Sequence, residues 1–565
     1  MTDQATTHHE AASSTAAAGA HGGRWQARKG MRRDYHAPRW DEPVIFELDD
    51  QGHRGIAVPG TDDALAAALA DAPEEAVRRA DVPTLPRVGQ SQVLRHYLRL
   101  SQETLGADLN VDIGQGTCTM KYSPKANERF VSAPGSARLH PLQHPSTVQG
   151  VLEILAGLQD ILREVSGMDA VCLQAGAGSA AIYANVKTVQ AYHRARGEHE
   201  QRDEIITTIF SHPSNAATAR TAGYKVITLY PDETGFPDLD ALRGAVSQRT
   251  AALFITNPED TGIFNPRITE YVEAVHAVGG LCVYDQANAN GLLGITRARD
   301  AGFDLCHFNL HKTFSTPHAC GGPAAGAIGA TDALAPFLPG PRLVRGADGL
   351  DWENGGTTAT ASVRPFYGVV PNLVRAYAWA RALGGEGLRQ VAETAIVNNN
   401  YVLASLADID GLSVPYAQGQ HRIEQVRYSW AELTAETGVT SGEIGARMAD
   451  HGMHYWTSHH PYVVPEPVTL EPTESYSRRE LDEYVAAIKQ TAHEARTDPQ
   501  LVRAAPHRSS IHTVDDEAVS DPDTWATSWR AYRRKYEGEV FPEPERWQAA
   551  ADLPLPQRPP KAKHR

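Results

Sequence analysis

The chain has 565 residues, 41% hydrophobic and 21% charged, the composition of an ordinary globular protein with enough apolar material for two packed cores. A formal net charge of −15 argues against a nucleic-acid or anionic-membrane surface. No run of about 18 uninterrupted apolar residues offers a membrane span, and the N-terminus lacks a basic stretch followed by an apolar one.

In chain order, residues 1–40 are rich in Ala, Ser, Thr, Gly and His and read as a disordered tail. Residues 41–135 read as an N-terminal arm. "STVQGVLEILAGLQDILREVSG" then spaces Val148, Val151, Leu152, Leu155, Leu158, Ile161, Leu162 and Val165 as a helix face, with Ser146 placed to cap it and Gly167 to end it. Short apolar runs follow: "AVCLQ" from 170, "IITTIF" from 205, "KVITLY" from 225, "AALFIT" from 251, "LCVYD" from 281 and "LCHFNL" from 305. Helix-length stretches such as "ITEYVEAVHAVGG" separate most of them. This alternation predicts an α/β large domain with a mostly parallel sheet over residues 136–385. From about 390 the texture changes, which predicts a smaller α+β domain over 386–515. Residues 516–565 read as a C-terminal extension, whose end "FPEPERWQAAADLPLPQRPPKAKHR" is Pro-rich and basic. The five cysteines (Cys118, Cys172, Cys282, Cys306, Cys320) contain no CxxC pair, which favours reduced thiols in a cytoplasmic protein.

Ligands of parallel sheets sit beyond the carboxyl ends of the strands. Two ionisable residues fall there: Asp285 in "LCVYDQANAN" and Lys312 in "FNLHKTFSTPH". A lysine to form an imine and a carboxylate to keep a ring nitrogen protonated are two of the four parts of a pyridoxal phosphate site; the others are phosphate donors and a flat group over the ring. "LQAGAGSAA" (173–181) joins a strand to a helix start, where backbone N–H groups and the helix dipole favour an anion. The same stretch reads as G-x-G-x-x-A, a weak dinucleotide fingerprint. The next strand, however, ends in "TIFSHPSNAAT", with His212 and no acid for a ribose. His212 is instead a ring-stacking candidate. His307 and His311 lie four apart in a strand-like run and make no helical metal face, and no HExxH occurs, so no metal site is expected.

"GTCTMKYSPKANE" (116–128), "LHPLQ" (139–143), "GMDAVCLQ" (167–174), "NLHKTFSTPH" (309–318), "LAPFLPGP" (334–341) and "LEPTES" (470–475) resemble, in order, the glycine dehydrogenase (decarboxylating) family, specifically subunit 2, the carboxy-terminal half of the glycine cleavage P-protein. The resemblance spans about residues 40–515. It implies a pyridoxal-phosphate-dependent enzyme of the aminotransferase-like fold type I. By matching position Lys312 resembles the Schiff-base lysine, Asp285 the pyridinium partner and His212 the stacking histidine. Ala177, Gly178 and Ser179 resemble the phosphate cradle, and Asn215, Asn288, His311 and Thr313 are further cofactor-binding candidates.

The pattern departs from the family near the cofactor. A-G-A-H-G-E becomes "AGSAAIY", losing a His at Ala180 and a Glu at Ile182, and H-G-G-G-G-P-G becomes "HACGGPA", with Ala319, Cys320 and Ala324 replacing glycines. Two expectations follow. Either the chain keeps the family reaction, in which glycine loses CO2 and its aminomethyl group passes to a lipoyl carrier with a subunit 1 partner. Or it has diverged to a larger amino-acid substrate, with replacement, carbon–carbon bond formation or transamination as its chemistry. A homodimer, or a hetero-oligomer with a subunit 1 homologue, is expected.

Overall fold

The computed structural model describes residues 85–106, 108–114, 121–318, 322–353, 359–417, 419–455 and 463–509, with short stretches between 38 and 70 and Asp521. Contacts divide the chain into two compact units, Met1–Asp34 with Ala107–Arg503, and Tyr35–Gly106 with Ala504–Arg565. In the second unit a helix over Gln90–Gln102 presents His96 and Arg99 to the Glu42 carboxylate at 2.9 and 3.0 Å.

After two short helices over Asn127–Val131 and Pro134–Ala137, the first unit has α1 (Gln149–Ser166), which buries Leu152, Leu155, Leu158 and Leu162 along one stripe. Gly167 ends it at φ 72°, a left-handed position that glycine adopts without a Cβ penalty. Ser146 does not cap this helix. It sits in a 3₁₀ turn over Pro145–Thr147, where the His144 imidazole already engages its amide and hydroxyl, so the helix starts from Val148 without a side-chain cap.

The chain then alternates: β1 (Ala170–Cys172), α2 (Gly178–Ala195), β2 (Glu204–Thr208), α3 (Ser214–Thr221), β3 (Lys225–Leu229), β4 (Thr250–Thr256), α4 (Ile268–His276), β5 (Leu281–Gln286), β6 (Leu305–Asn309) and β7 (Gly326–Ala330). Seven strands form one sheet in the order β1-β7-β6-β5-β4-β2-β3. The sheet is parallel except at β7, which pairs antiparallel with both β1 and β6.

Both faces are covered, which is why the strands read as continuous apolar runs rather than alternating ones. Ile206, Leu253, Ile255 and Tyr284 pack with the leucines of α1 on one face. Their strand neighbours Ile205, Ala252, Phe254 and Val283 pack with Ala181, Ile182 and Val186 of α2 on the other. A long helix, α5 (Val370–Leu406), breaks its helical geometry at Gly384 (φ 67°, ψ −179°). It gives Leu373, Ala376 and Trp379 to the first core and Val402 and Leu406 to a separate smaller core. That smaller core is closed by the antiparallel pair β8 (Val426–Ser429) and β9 (Pro467–Leu470), and by α6 (Ser441–Ala449) and α7 (Arg478–Thr497). Both helices start with capping boxes, Thr440 with Glu443 and Ser477 with Glu480.

Candidate active site

The parallel strands deliver their carboxyl ends to one edge of the sheet, and Asp285 is the penultimate residue of β5. Its carboxylate is 2% exposed. Oδ2 accepts from Asn215 Nδ2 at 2.8 Å, at the head of α3, and Oδ1 accepts from the Ala287 amide at 3.1 Å. His307 Nε2 lies 3.3 Å from Oδ1. His307 is the register partner of Asp285 on β6, so the two side chains stand on the same face of the sheet. Burial alone would raise the Asp285 carboxyl, but His307, the Asn215 amide and the Ala287 N–H outweigh it and hold the pKa below its usual value. The result is a carboxylate that stays ionised in a dry site.

Lys312 lies three residues beyond β6, buried, with its amide donating to Asn309 O at 2.9 Å. Among the described residues it has no ion-pair partner. Thr313 Oγ1 accepts from the Ala289 amide at 2.9 Å, which ties the lysine turn to the loop that follows Asp285. His212 follows β2 on the exposed side, its Nδ1 engaged by the Ser214 hydroxyl at 2.7 Å and amide at 3.2 Å. Its charge acts on Asp285.

Ala177, Gly178 and Ser179 form the head of α2. A Cβ on Gly178 would stand 2.6 Å from the Asn309 amide, and one on Gly326 would stand 2.8 Å from the Ala177 carbonyl. Glycine at both positions lets the helix head settle onto the ends of β6 and β7, where its N–H groups can meet an anion. His311 Nδ1–H donates to the Ala325 carbonyl at 2.9 Å, and burial pushes its pKa down to about 3. Asn288 donates to the Glu471 carboxylate, as does Asn290 at 3.2 Å.

Ile182, where the family pattern has a Glu, is buried in the core between α2 and the sheet, and Ala324 is buried as well. Ala319, Cys320, Cys118, His459 and His460 lie outside the described residues.

Three charged residues near the site are given no role by the sequence pattern: Glu424, and Lys121 and Glu471 within the segments "GTCTMKYSPKANE" and "LEPTES". Glu424 Oε2 accepts from the Gly291 amide at 3.0 Å. Burial and the neighbouring Glu471 push the Glu424 pKa up to about 8, against the Gly291 N–H and the charges of Lys312 and Lys121. Lys121 Nζ donates to the Thr313 carbonyl at 2.8 Å, directly after Lys312.

Several buried polar atoms at this edge of the sheet have no hydrogen-bond partner among the described residues: Asn215 Oδ1, His307 Nδ1, Asn309 Oδ1 and Thr316 Oγ1. Buried polar atoms are nearly always paired, so such a cluster fits a site built for a polar group. An ionised buried carboxylate, an unpaired lysine and a glycine-lined helix head suit a ring nitrogen, an aldehyde and a phosphate. The fold and this site define a pyridoxal-phosphate-dependent enzyme of the aminotransferase-like fold type I.

Comparison with known proteins narrows the class. Residues 142–324 match the family model described as aminotransferase class-V, and residues 391–507 match glycine dehydrogenase, C-terminal domain. The probable glycine dehydrogenase (decarboxylating) subunit 2 of Pyrococcus horikoshii is 40% identical over 511 residues, covering 90% of this chain and 99% of that protein. The same-named protein of Thermococcus gammatolerans is 39% identical over 515 residues (90% and 99%), and that of Shouchella clausii 39% over 476 residues (84% and 95%). The chain belongs to the glycine dehydrogenase (decarboxylating) subunit 2 family. Among solved structures, glycine decarboxylase (P-protein) of the glycine cleavage system in inhibitor-bound form aligns with a TM-score of 0.65 at 18% identity, covering 76% of this chain and 95% of that one. A NifS-like protein aligns with a TM-score of 0.52 at 16% identity, covering 68% and 99%. These two show the fold. Among the described residues no helix is long and apolar enough to cross a membrane.

Proposed function

We propose that this chain carries the cofactor half of a glycine-decarboxylating enzyme. Lys312 would anchor pyridoxal phosphate, Asp285 would serve its ring nitrogen, His212 would be the stacking group, and Ala177, Gly178 and Ser179 would receive the phosphate, with Asn215 and Thr313 supporting Asp285 and the lysine turn. The bound cofactor supplies an electron sink for the bond broken at the α-carbon.

The residues of the chain supply the rest. Asp285 is held ionised by Asn215 and the Ala287 amide, so it keeps a proton at the ring nitrogen rather than taking it. Lys312 Nζ would be the group that gives and takes protons as substrate arrives and leaves. In the proposed reaction the bond between the α-carbon and the carboxyl carbon of glycine breaks and CO2 leaves. The aminomethyl carbon then bonds to one sulfur of a lipoyl disulfide, whose S–S bond is reduced. A subunit 1 homologue is the expected partner, since the relatives are named subunit 2, and a lipoyl carrier is the acceptor the proposed reaction requires.

The observation that carries this reading is the identity of about two residues in five with the named relatives over nearly their whole length, together with the buried Asp285 at the end of β5. It favours the family reaction over a diverged one on a larger amino acid. The test is exchange of labelled bicarbonate into glycine by the purified chain with pyridoxal phosphate, a subunit 1 homologue and a lipoylated carrier. Exchange that needs all the components supports the reading. No exchange by the complete mixture, with a bulkier amino acid consumed instead, overturns it.

A further inference from the structure

The segment that precedes the sheet reaches Lys312 by way of the smaller core. Val111 and Ile113 are buried in that core. The strand of chain around them is fastened by Asn110 Nδ2 to Gly452 O at 2.7 Å, Tyr476 Oη to Asp112 O at 2.8 Å, and the Glu471 amide to Ile113 O at 2.7 Å. His454 Nδ1 adds a contact to Asp112 Oδ1 at 2.9 Å.

Lys121 then enters the active-site region with its side chain 1% exposed. Its Nζ donates to the Thr313 carbonyl at 2.8 Å, pairs with Glu474 Oε1 at 3.1 Å, and lies 4.8 Å from the centroid of the Trp379 ring. The next residue repeats the pattern. Ser315 Oγ donates to the Tyr122 carbonyl, and the Tyr122 amide donates to Ser475 Oγ at 3.1 Å. Two consecutive residues of one segment therefore hold the two residues Thr313 and Ser315 just past the lysine. Ser315 needs holding: its φ of 56° is in the left-handed region, which a residue with a Cβ keeps only when its surroundings enforce it.

We propose that Lys121 is a positioning residue for Lys312, its ammonium gripping the Thr313 carbonyl so that the strained turn aims Lys312 at the cofactor. This rests on Lys312 being the cofactor's anchor. Packing alone does not call for a charge here, because a buried ion pair contributes little net stability compared with an apolar side chain of similar volume. The specific gain is directional: an ammonium can bond the carbonyl, the carboxylate and the indole face at once, and a methionine cannot.

The charges around the two lysines are distinct enough to test. Burial pushes the Lys121 ammonium's pKa down, while Glu474, Glu471 and Glu424 hold it up. Lys312 acts in turn on Glu424, His307 and His311. The experiment uses the full chain loaded with pyridoxal phosphate. Borohydride trapping on Lys312 in the unaltered protein first establishes the anchor, and its failure would refute the cofactor reading rather than the role of Lys121. The midpoint of the pH-dependent visible absorbance is then compared for Lys121→Met, Lys121→Arg and Glu474→Gln. Removing the cation in Lys121→Met should raise the midpoint by about one pH unit, the effect of one buried neighbouring charge, and Glu474→Gln should lower it. Lys121→Arg should restore most of the original value. The same midpoint in all three variants, whether or not their melting temperatures fall, overturns the proposal. If Lys121→Met does not fold, the Glu474→Gln midpoint decides alone, and an unshifted value again overturns it.

Discussion

Glu424→Gln tests the electrostatics of the site most directly. The carboxyl is fully enclosed and its pKa is pushed up to about 8, from an ordinary 4.5, chiefly by burial. Between those two values the folded chain holds a proton that the unfolded chain has released, so the wild-type protein loses stability as pH rises through that window. The slope is about 1.4 kcal/mol per pH unit where the two states differ by one proton. From pH 5.5 to 7.5 the loss from this one group is therefore on the order of 2–3 kcal/mol. A glutamine keeps the acceptor for the Gly291 amide and has no proton to lose. Glu259, also pushed up to about 8 by burial, follows the same trend in both proteins and cancels in the comparison. Thermal unfolding of both proteins, saturated with pyridoxal phosphate, is to be measured at intervals across this range. The variant should gain on the wild type steadily as pH rises. A difference that stays constant from pH 5.5 to 7.5 would refute the reasoning and mean that Glu424 is ionised throughout.

Lys312→Ala should abolish borohydride trapping of the cofactor while leaving the far-ultraviolet circular dichroism unchanged. Asp285→Asn should retain much of the cofactor but reduce turnover by roughly 10²–10³, the usual consequence of removing a preorganised charge, measured as bicarbonate exchange. Because the Asp285 pKa is held low, its contribution to stability is present above the unfolded value and lost as pH falls through the folded one, so this variant should also show a shallower acid transition. Gly326→Ala places a Cβ 2.8 Å from the Ala177 carbonyl, which is backbone and cannot swing aside. It should cost about 1–3 kcal/mol in denaturant unfolding and weaken phosphate-dependent cofactor binding.

Six strands were legible as short apolar runs, most clearly where the sheet is covered on both faces, as in Ala251–Thr256 of β4, and less so at the edge strand β3, which starts at the exposed Lys225. β7 was not, because "GAIGA" carries almost no side chain and reads as loop. Its place in the sheet is set by what surrounds it. The positions of Asp285 and Lys312 followed from a general rule about strand ends. His307 was weighed only as a metal ligand and set aside, because register, not local pattern, places it beside Asp285. Lys121 and Glu471 lie in the quoted segments "GTCTMKYSPKANE" and "LEPTES" without a role assigned to them, and Glu424 lies in none; their burial comes from segments more than a hundred residues apart, and a charged residue in isolation reads as surface.

The thinness of β7 has a consequence for anyone wishing to tune this enzyme. Gly326 acts as a shim between the sheet and α2, meeting the Ala177 carbonyl and the Ala181 side chain across that gap. The clearance of the helix head above the sheet is therefore gauged by a strand that donates nothing to the ligand. Side chains of increasing size at Gly326, which faces α2, would jack the helix head away from Lys312 in steps. Cofactor affinity then becomes adjustable from behind the site, with every group that would touch the cofactor left as it is.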